Sequence, residues 1–386
     1  MSRRRSHAND EIRRIPDSTN DANVGMPASH GSFHLMWRKF RRHKLAIAGG
    51  VLLAALLIGV IFAPFFAPYA ADQGNLRYSY CPPQRIHFID SDGRFHFRPF
   101  TYRIVKETDP VTLRLRYSED KSVAYPIRFF ARGWNYTVFG FIKTNLHLAQ
   151  ASEGGTLYLF GTDQHGRDLW SRILFGGRLT LLIAIGAGFL SGLFGAMVGT
   201  VSGYLSGAPD AVIQRFIEVL LCFPALPLWM ALSAALPRNW DPINTIYAIT
   251  LIFALLGWPG IAREVRGKVL ALREEEYVTA ARAIGVGRGR IIFRHVLPQA
   301  MSHIIVSITT AVPGLMIGES TLSFLGLGVQ PPMATWGALL QKAQNIQTLA
   351  QQQWLLIPGL FIMITVLALS FLGDGLRDAA DPFSRF

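Results

Sequence analysis

A chain of 386 residues, half of them hydrophobic and only 16% charged, lacks the composition of a soluble domain of that length. Its formal net charge of +13 invites nucleic acid as a partner, but the basic residues crowd the short flanks of apolar segments, as in a membrane protein, and exclude that reading. Two cysteines, Cys81 and Cys222, fall in different environments and offer neither a disulfide framework nor metal-ligand spacing.

Residues 1–30 are polar, mixed in charge and without periodicity, which predicts a disordered arm. Residues 31–69 follow as a membrane-surface helix and a first span. Phe33, Met36, Trp37 and Phe40 recur at helical spacing among Arg38, Lys39, Arg41 and Arg42, the pattern of an amphipathic helix on the inner surface; a plain basic anchor fits the same residues. The apolar run Ala46–Ala67 exceeds the roughly 7–15 residues of a signal-peptide core, so the segment reads as an uncleaved transmembrane helix.

The period then changes. Ile86 and Phe88, a turn at Ser91-Asp92-Gly93, and Phe95 and Phe97 predict a hairpin. A second is expected from Val111, Leu113, Leu115 and Tyr117, a polar turn, then Val123 and Tyr125. Residues 70–160 thus read as a small β-rich extracytoplasmic insertion, expected to serve as a docking platform for a soluble partner, with a merely structural cover as the alternative.

Residues 161–386 supply five more stretches that reach the ~20 residues a bilayer crossing needs: Leu179–Tyr204, Val212–Leu236, Ile243–Ala262, His303–Leu325 and Trp354–Gly373. Gly195, Gly199 and Gly203 make a small-residue stripe suited to close helix packing, with Gly188 and Gly192 on a neighbouring face. Pro224, Pro227, Pro259, Pro313 and Pro358 are expected to interrupt the spans. The fold class is an all-α integral membrane protein with six transmembrane helices and a β-rich insertion between the first two.

Of the 38 Lys and Arg, 10 lie in residues 1–44 and 8 in residues 263–299, so both regions are expected in the cytoplasm, together with both termini. Another 15 lie between Ala70 and Arg178, but loops beyond ~60 residues cross regardless of charge.

Within the loop 263–299, Tyr277, Ala280, Ala281 and Ile284 stand at i, i+3, i+4 and i+7, one apolar stripe on a short helix. Gly285 sits where a helix ends. A helix this short is marginal alone and needs a surface to rest against. The stretch resembles the cytoplasmic loop of ABC importer permeases: Glu-Ala-Ala, three free residues, Gly, nine free residues, Ile, one free, Leu-Pro. Thr279-Ala280-Ala281, Gly285 and Leu297-Pro298 match, while Thr279 replaces the Glu and His295 the Ile.

Four further stretches are similar to the oligopeptide/dipeptide permease subfamily, C-type subunit. "GTDQHGRDLWSR" aligns Gly161, Thr162, Asp163, Gly166, Arg167, Asp168, Ser171 and Arg172 with a signature of that subfamily. "IGESTLSFLGLGVQPPMATWGALL", "RFIEVLLCFPALPL", with Glu218 in an Asp position, and "GDGLRDAADPF" resemble others. The resemblance covers roughly residues 35–70 and 158–386 and omits the β insertion. It implies the ABC importer type I permease fold, a bacterial inner-membrane location, and a loop whose helix enters a cleft of the ATPase. It also implies partners: a second homologous permease, two ATPase subunits and a soluble substrate-binding protein. The substrate class it implies is peptides, with oligosaccharides, opines or metal chelates as alternatives.

Other readings follow from single residues. No G-x-x-x-x-G-K-[ST] motif occurs, and Gly267-Lys268 is followed by Val269, so no cofactor is expected in this chain and ATP with Mg belongs to partner ATPases. Asp163, His165 and Asp168 lack a second His at ligand spacing; Asp163, Arg167 and Asp168 are expected to pair and to cap a helix at the outer surface, and no catalytic or metal residue is expected. Glu319 and Ser320 lie inside an apolar span and are expected on the translocation path or at the contact with the second permease; a structural hydrogen-bonding role for Glu319 weighs equally. A proton-coupled transporter using Glu319 as its proton site is the rival function. A membrane receptor sensing ligand through the insertion is a third, although no signalling domain follows the last span.

Overall fold

Between Leu45 and Ala71 the chain carries no charged residue, and it folds there as α1 (Lys44–Ile61) and a short α2 (Ala63–Phe66). His43 caps α1, its Nδ1 accepting from Ala46 N at 3.1 Å. The computed structural model of the protein describes residues 38–108, 115–138, 140–237 and 239–380. The polar arm, most of the expected surface helix with Phe33, Met36 and Trp37, and the last residues of the C-terminal motif lie outside the described residues.

Four antiparallel strands follow in the order β1 (His87–Ile89), β2 (Phe95–Thr108), β3 (Leu115–Val138) and β4 (Ile142–Ala151). The first hairpin turns as expected at Asp90–Gly93. Asp90 Oδ1 accepts from Asp92 N and Arg94 N at 2.9 Å, and Gly93 takes a φ of 79°. The second expectation fails. Residues 118–122 form no turn but a bulge inside β3, where Arg103 faces Asp120 while the adjacent Tyr102 faces Ala124. Asp120 Oδ1 satisfies the freed groups by accepting from Ser122 N at 3.0 Å and Ser122 Oγ at 2.6 Å. A polar cluster in a strand answers to a bulge as readily as to a turn, because both leave backbone groups for side chains to bond. Val111 and Leu113 lie outside the described residues.

The remainder is helical: α3 (Leu169–Leu205), α4 (Gly207–Cys222), α5 (Ala225–Ala234), α6 (Pro242–Leu272), α7 (Glu276–Ala283), α8 (Arg288–Ile291), α9 (Leu297–Phe324), α10 (Trp336–Leu340), α11 (Ile346–Gln351) and α12 (Ile357–Ala380). A π-helical turn, Ile292–Val296, joins α8 to α9. Among the described residues five helices are long and apolar enough to cross a membrane: α1, α3, α6, the continuous Arg288–Phe324 and Gln353–Ala380. The expected third span, Val212–Leu236, is not one helix. It divides into α4 and α5, bent by 79°, because Phe223 is extended before Pro224, whose ring disfavours a helical predecessor. Pro259 and Pro313, expected to interrupt spans, instead lie within continuous α6 and α9.

The glycine stripe sets the central contact. A Cβ at Gly195 would lie 2.8 Å from Trp258 O, one at Gly203 2.9 Å from Arg266 O, and one at Gly199 would collide with Ala262 O, so α3 and α6 touch backbone to backbone. Lipid tails are as apolar as Leu, so such a seam is held by dispersion between closely fitted surfaces rather than by exclusion of water. Gly188 turns to another neighbour, its Cβ position 2.8 Å from Val312 in α9. Gly199→Val is therefore expected to lower the thermal midpoint by an amount corresponding to about 1–3 kcal/mol. Fluorescence-detected size-exclusion chromatography after heating measures it, and an unchanged midpoint contradicts the seam.

Candidate functional site

At one end of the bundle, α7 lies across the ends of α3 and α6. Val278 and Ala281 point inward and join Tyr204, Val265, Val269 and Ile291 in one buried cluster. Tyr277, Thr279, Ala280 and Ile284 face outward, Ile284 with 81% of its surface exposed. The expected stripe is thus divided: Ala281 belongs to the chain's own core, and Tyr277, Ala280 and Ile284 form the free face. Gly285 ends the helix with a φ of 78°; Val286 N donates to Ala281 O at 3.0 Å and Gly285 N to Arg282 O at 3.0 Å, a left-handed stop that suits glycine. Leu297 is half-buried and Pro298 exposed at the start of α9.

Two residues that sequence reading missed hold this end together. Arg282 stacks its guanidinium over Tyr204 at 5.2 Å and donates from NH2 to Arg273 O at 3.1 Å. Asp210 in α4 accepts from Arg266 of α6 at 2.6 and 2.5 Å, so the α4–α6 contact is clamped where α3 ends. The signal for Asp210 was present, since it is the first charge after the uncharged run from Leu179 to Pro209. The ion pair Arg215–Glu218, 2.9 Å, is exposed.

At the opposite end, beside the sheet, the Gly161–Arg172 signature is a tight polar knot. Asp163 Oδ1 accepts from His165 N at 2.8 Å and Arg167 N at 3.1 Å. Its Oδ2 accepts from Arg167 Nε at 2.8 Å and Arg172 NH1 at 3.2 Å. Asp168 caps α3, taking Ser171 N at 2.8 Å and Ser171 Oγ at 2.6 Å. Thr162 bridges to the segment before the sheet, where Cys81 N donates to its Oγ1 at 2.8 Å. Gly161 and Gly166 have φ of 76° and 68°, and a side chain on either would strike the backbone of Cys81 or Asn75.

Burial pushes the Asp168 carboxyl up to about 7, against the pull of the Ser171 and Trp170 hydrogen bonds. A carboxyl that is more basic folded than unfolded binds more protons in the native state, so its burial is tolerated best below about pH 4. That tolerance is lost as pH rises to about 7 and changes little above it. Raising pH from 5 to 8 is expected to destabilise the protein by on the order of 1–3 kcal/mol relative to Asp168→Asn. Parallel pH profiles of the thermal midpoint for the two proteins refute this assignment.

The second signature reaches the first through α3. Trp336, fully buried, donates Nε1–H to Ile173 O at 2.7 Å, and its backbone N donates to Thr180 Oγ1 at 3.0 Å. Its ring occupies the space left by Gly177, where a Cβ would lie 2.7 Å from Cζ2. Glu319 is 1% exposed and its carboxylate accepts from Ser323 Oγ at 2.7 Å; Ser320 is buried on the same helix. Among the described residues both side chains are buried, and Glu319 Oε2 and Ser320 Oγ have no hydrogen-bond partner.

A family model described as "Binding-protein-dependent transport system inner membrane component" matches residues 193–386, and one described as "N-terminal TM domain of oligopeptide transport permease C" matches residues 32–83. Residues 84–192, including the sheet, lie between the two matches. The chain is 34% identical over 349 residues to the oligopeptide transport system permease protein OppC of Haemophilus influenzae, covering 90% of this chain and 88% of that one. It is 29% identical over 345 residues to OppC of Bacillus subtilis, with 89% and 87% covered. It is 30% identical over 348 residues to the dipeptide transport system permease protein DppC of the same organism, with 90% and 84% covered. The helical bundle, its two interlocked signatures and these kinships together place the chain in the oligopeptide/dipeptide permease family, the inner-membrane components of binding-protein-dependent ABC importers.

Proposed function

We propose that the chain is the C-type transmembrane subunit of an ATP-driven importer that takes up peptides delivered by a soluble binding protein. The substrate class follows from the relatives, which are named as oligopeptide and dipeptide permeases. The observation that carries the mechanism is the free face of α7, Tyr277, Ala280 and Ile284, on a helix whose other face is fixed in the core.

In this reading the loop 263–299 faces the cytoplasm, as do both termini, and α4 with α5 counts as the sixth crossing. The free face of α7 rests in an ATPase subunit, one of two that carry the ATP and Mg. Closure of the ATPases pulls α7; because Val278 and Ala281 tie it to α3, α6 and α9, the helices tilt with it. A ligand shifts such an equilibrium only by its differential affinity for the two states, so α7 must bind the closed and open ATPases unequally. A second, homologous permease completes the cavity, residues 70–160 form the extracytoplasmic insertion that receives the binding protein, and Asp163, Arg167 and Asp168 hold the outer end of α3 rigid.

Uptake of a labelled tripeptide into proteoliposomes holding the co-purified complex tests the assignment. Accumulation that needs both internal ATP and the binding protein supports it. Accumulation unaffected by ATP removal and abolished by collapsing a proton gradient overturns it.

A further inference from the structure

A groove of about 810 Å³ runs down the outside of the bundle between α1, α3 and the tip of the β3–β4 hairpin. Its walls are apolar: Leu57, Ile61 and Phe62 on one side, Leu182, Ile185 and Phe189 on the other. Ile61, Phe62, Leu182, Ile185 and Phe189 are exposed, so the groove opens sideways where the apolar spans meet lipid.

Among the described residues one charged side chain lines it. Arg178 donates from Nε to Val60 O at 2.7 Å and from NH2 to Ile61 O at 2.6 Å, with its guanidinium over the Phe175 ring at 5.3 Å. Among the described residues no carboxylate pairs with it. A cation at the rim of an apolar groove, held by carbonyls and without a counter-charge, is matched by an anion carrying a long apolar tail.

The groove also has the length of one leaflet. Phe189 lies eleven residues beyond Arg178 on α3, which at 1.5 Å per residue is ~16 Å. The hydrocarbon core of a bilayer is ~30 Å thick, so half of it is ~15 Å. The hairpin closes the third side with Tyr136, Val138 and Gly140. It is held against the bundle by buried His147, whose ring nitrogens lie 2.8 Å from Pro64 O and 3.0 Å from Trp134 O. Beyond the groove the tip presents Phe141, 89% exposed, and exposed Ile142, followed by Lys143. An apolar tip with a basic flank suits the membrane interface rather than water.

We infer that this groove seats an acyl chain of a membrane phospholipid, with the phosphate at Arg178 and the hairpin tip immersed in the same leaflet. The β insertion is then bound to the bilayer as well as to the helices.

Native mass spectrometry of the full-length chain, purified in its complex and titrated with phosphatidylglycerol, tests this. The wild-type complex is expected to retain bound lipid, with Arg178→Gln reducing occupancy about fivefold, the effect of one basic residue near an anionic surface. Arg178→Gln also removes the bonds to α1, so Leu182→Trp, which fills the groove and leaves those bonds intact, is the second variant and is expected to reduce retention as strongly. A spin label on Phe141→Cys, in a Cys222→Ser background, is expected to be quenched by oxygen and shielded from a water-soluble nickel chelate in proteoliposomes. Equal lipid retention by all three proteins overturns the inference. So does crosslinking of a photoreactive group at position 182 to the second permease in place of lipid, or full access of the nickel chelate to the label at position 141.

Discussion

A chain carrying Ala280→Trp is expected to reach the membrane in wild-type amount and to lose ATP-driven uptake. Ala280 is exposed at the centre of the free face of α7, between Tyr277 and Ile284, and among the described residues it belongs to no buried cluster. An indole there leaves the fold intact and prevents a partner surface from approaching the backbone of α7. Loss of a central contact in a docking interface is worth about 2 kcal/mol or more, roughly thirtyfold in affinity. Two measurements check it: the fraction of ATPase retained on the tagged permease, and peptide uptake in proteoliposomes. Retention and uptake at wild-type levels would falsify the assignment of this face. Ala281→Trp behaves differently although it is the next residue. Ala281 is 7% exposed and packed within the cluster that joins α7 to the bundle, so the larger side chain disturbs folding itself, and the protein is expected to accumulate poorly. The adjacent pair therefore separates docking from stability.

Trp336→Ala is expected to cause the largest loss of stability among substitutions at the opposite end. The ring is fully buried against Gly177 and donates to Ile173 O, so truncation leaves a cavity and removes a hydrogen bond. Large-to-small changes at such aromatic positions cost about 3–5 kcal/mol. Part of that loss is dispersion between closely packed atoms, which lipid on the far side of the helix does not replace. Trp336→Phe keeps most of the volume and loses the indole donor, for a cost of about 1 kcal/mol. Thermal midpoints in detergent, compared at fixed lipid content, distinguish the two. A midpoint for Trp336→Ala within a degree of wild type would show that α10 does not lock α3 to α9.

The kinship and the general architecture were legible in short strings of residues, because those strings meet local demands. Gly161 and Gly166 require positive φ, Asp168 caps a helix, Gly285 ends one, and the four-residue glycine spacing permits a backbone seam. Each is decided by atoms within a few residues or by the chemistry of lipid, so the residue type alone carries the information. The apolar runs were equally legible, since a bilayer requires ~20 apolar residues per crossing whatever the neighbours do.

Other features depended on contacts distant in sequence. Whether residues 118–122 turn or bulge rests on which strand lies opposite, and β2 decides for a bulge. The division of the α7 stripe into a buried Ala281 and an exposed Ala280 depends on where Tyr204, Val265 and Ile291 arrive, although both are alanines at neighbouring positions on one helix. Glu319 shows the same limit: in the sequence it is only an ionisable group in an apolar run, and its burial beside Ser323 and Thr335 exists once the segment before α10 has folded back. Helical and strand periodicity, hydropathy and caps are properties of the chain and were determined by the sequence read alone. Which side of an amphipathic helix is core and which is free depends on what the other helices place against it, and only the tertiary structure decided that.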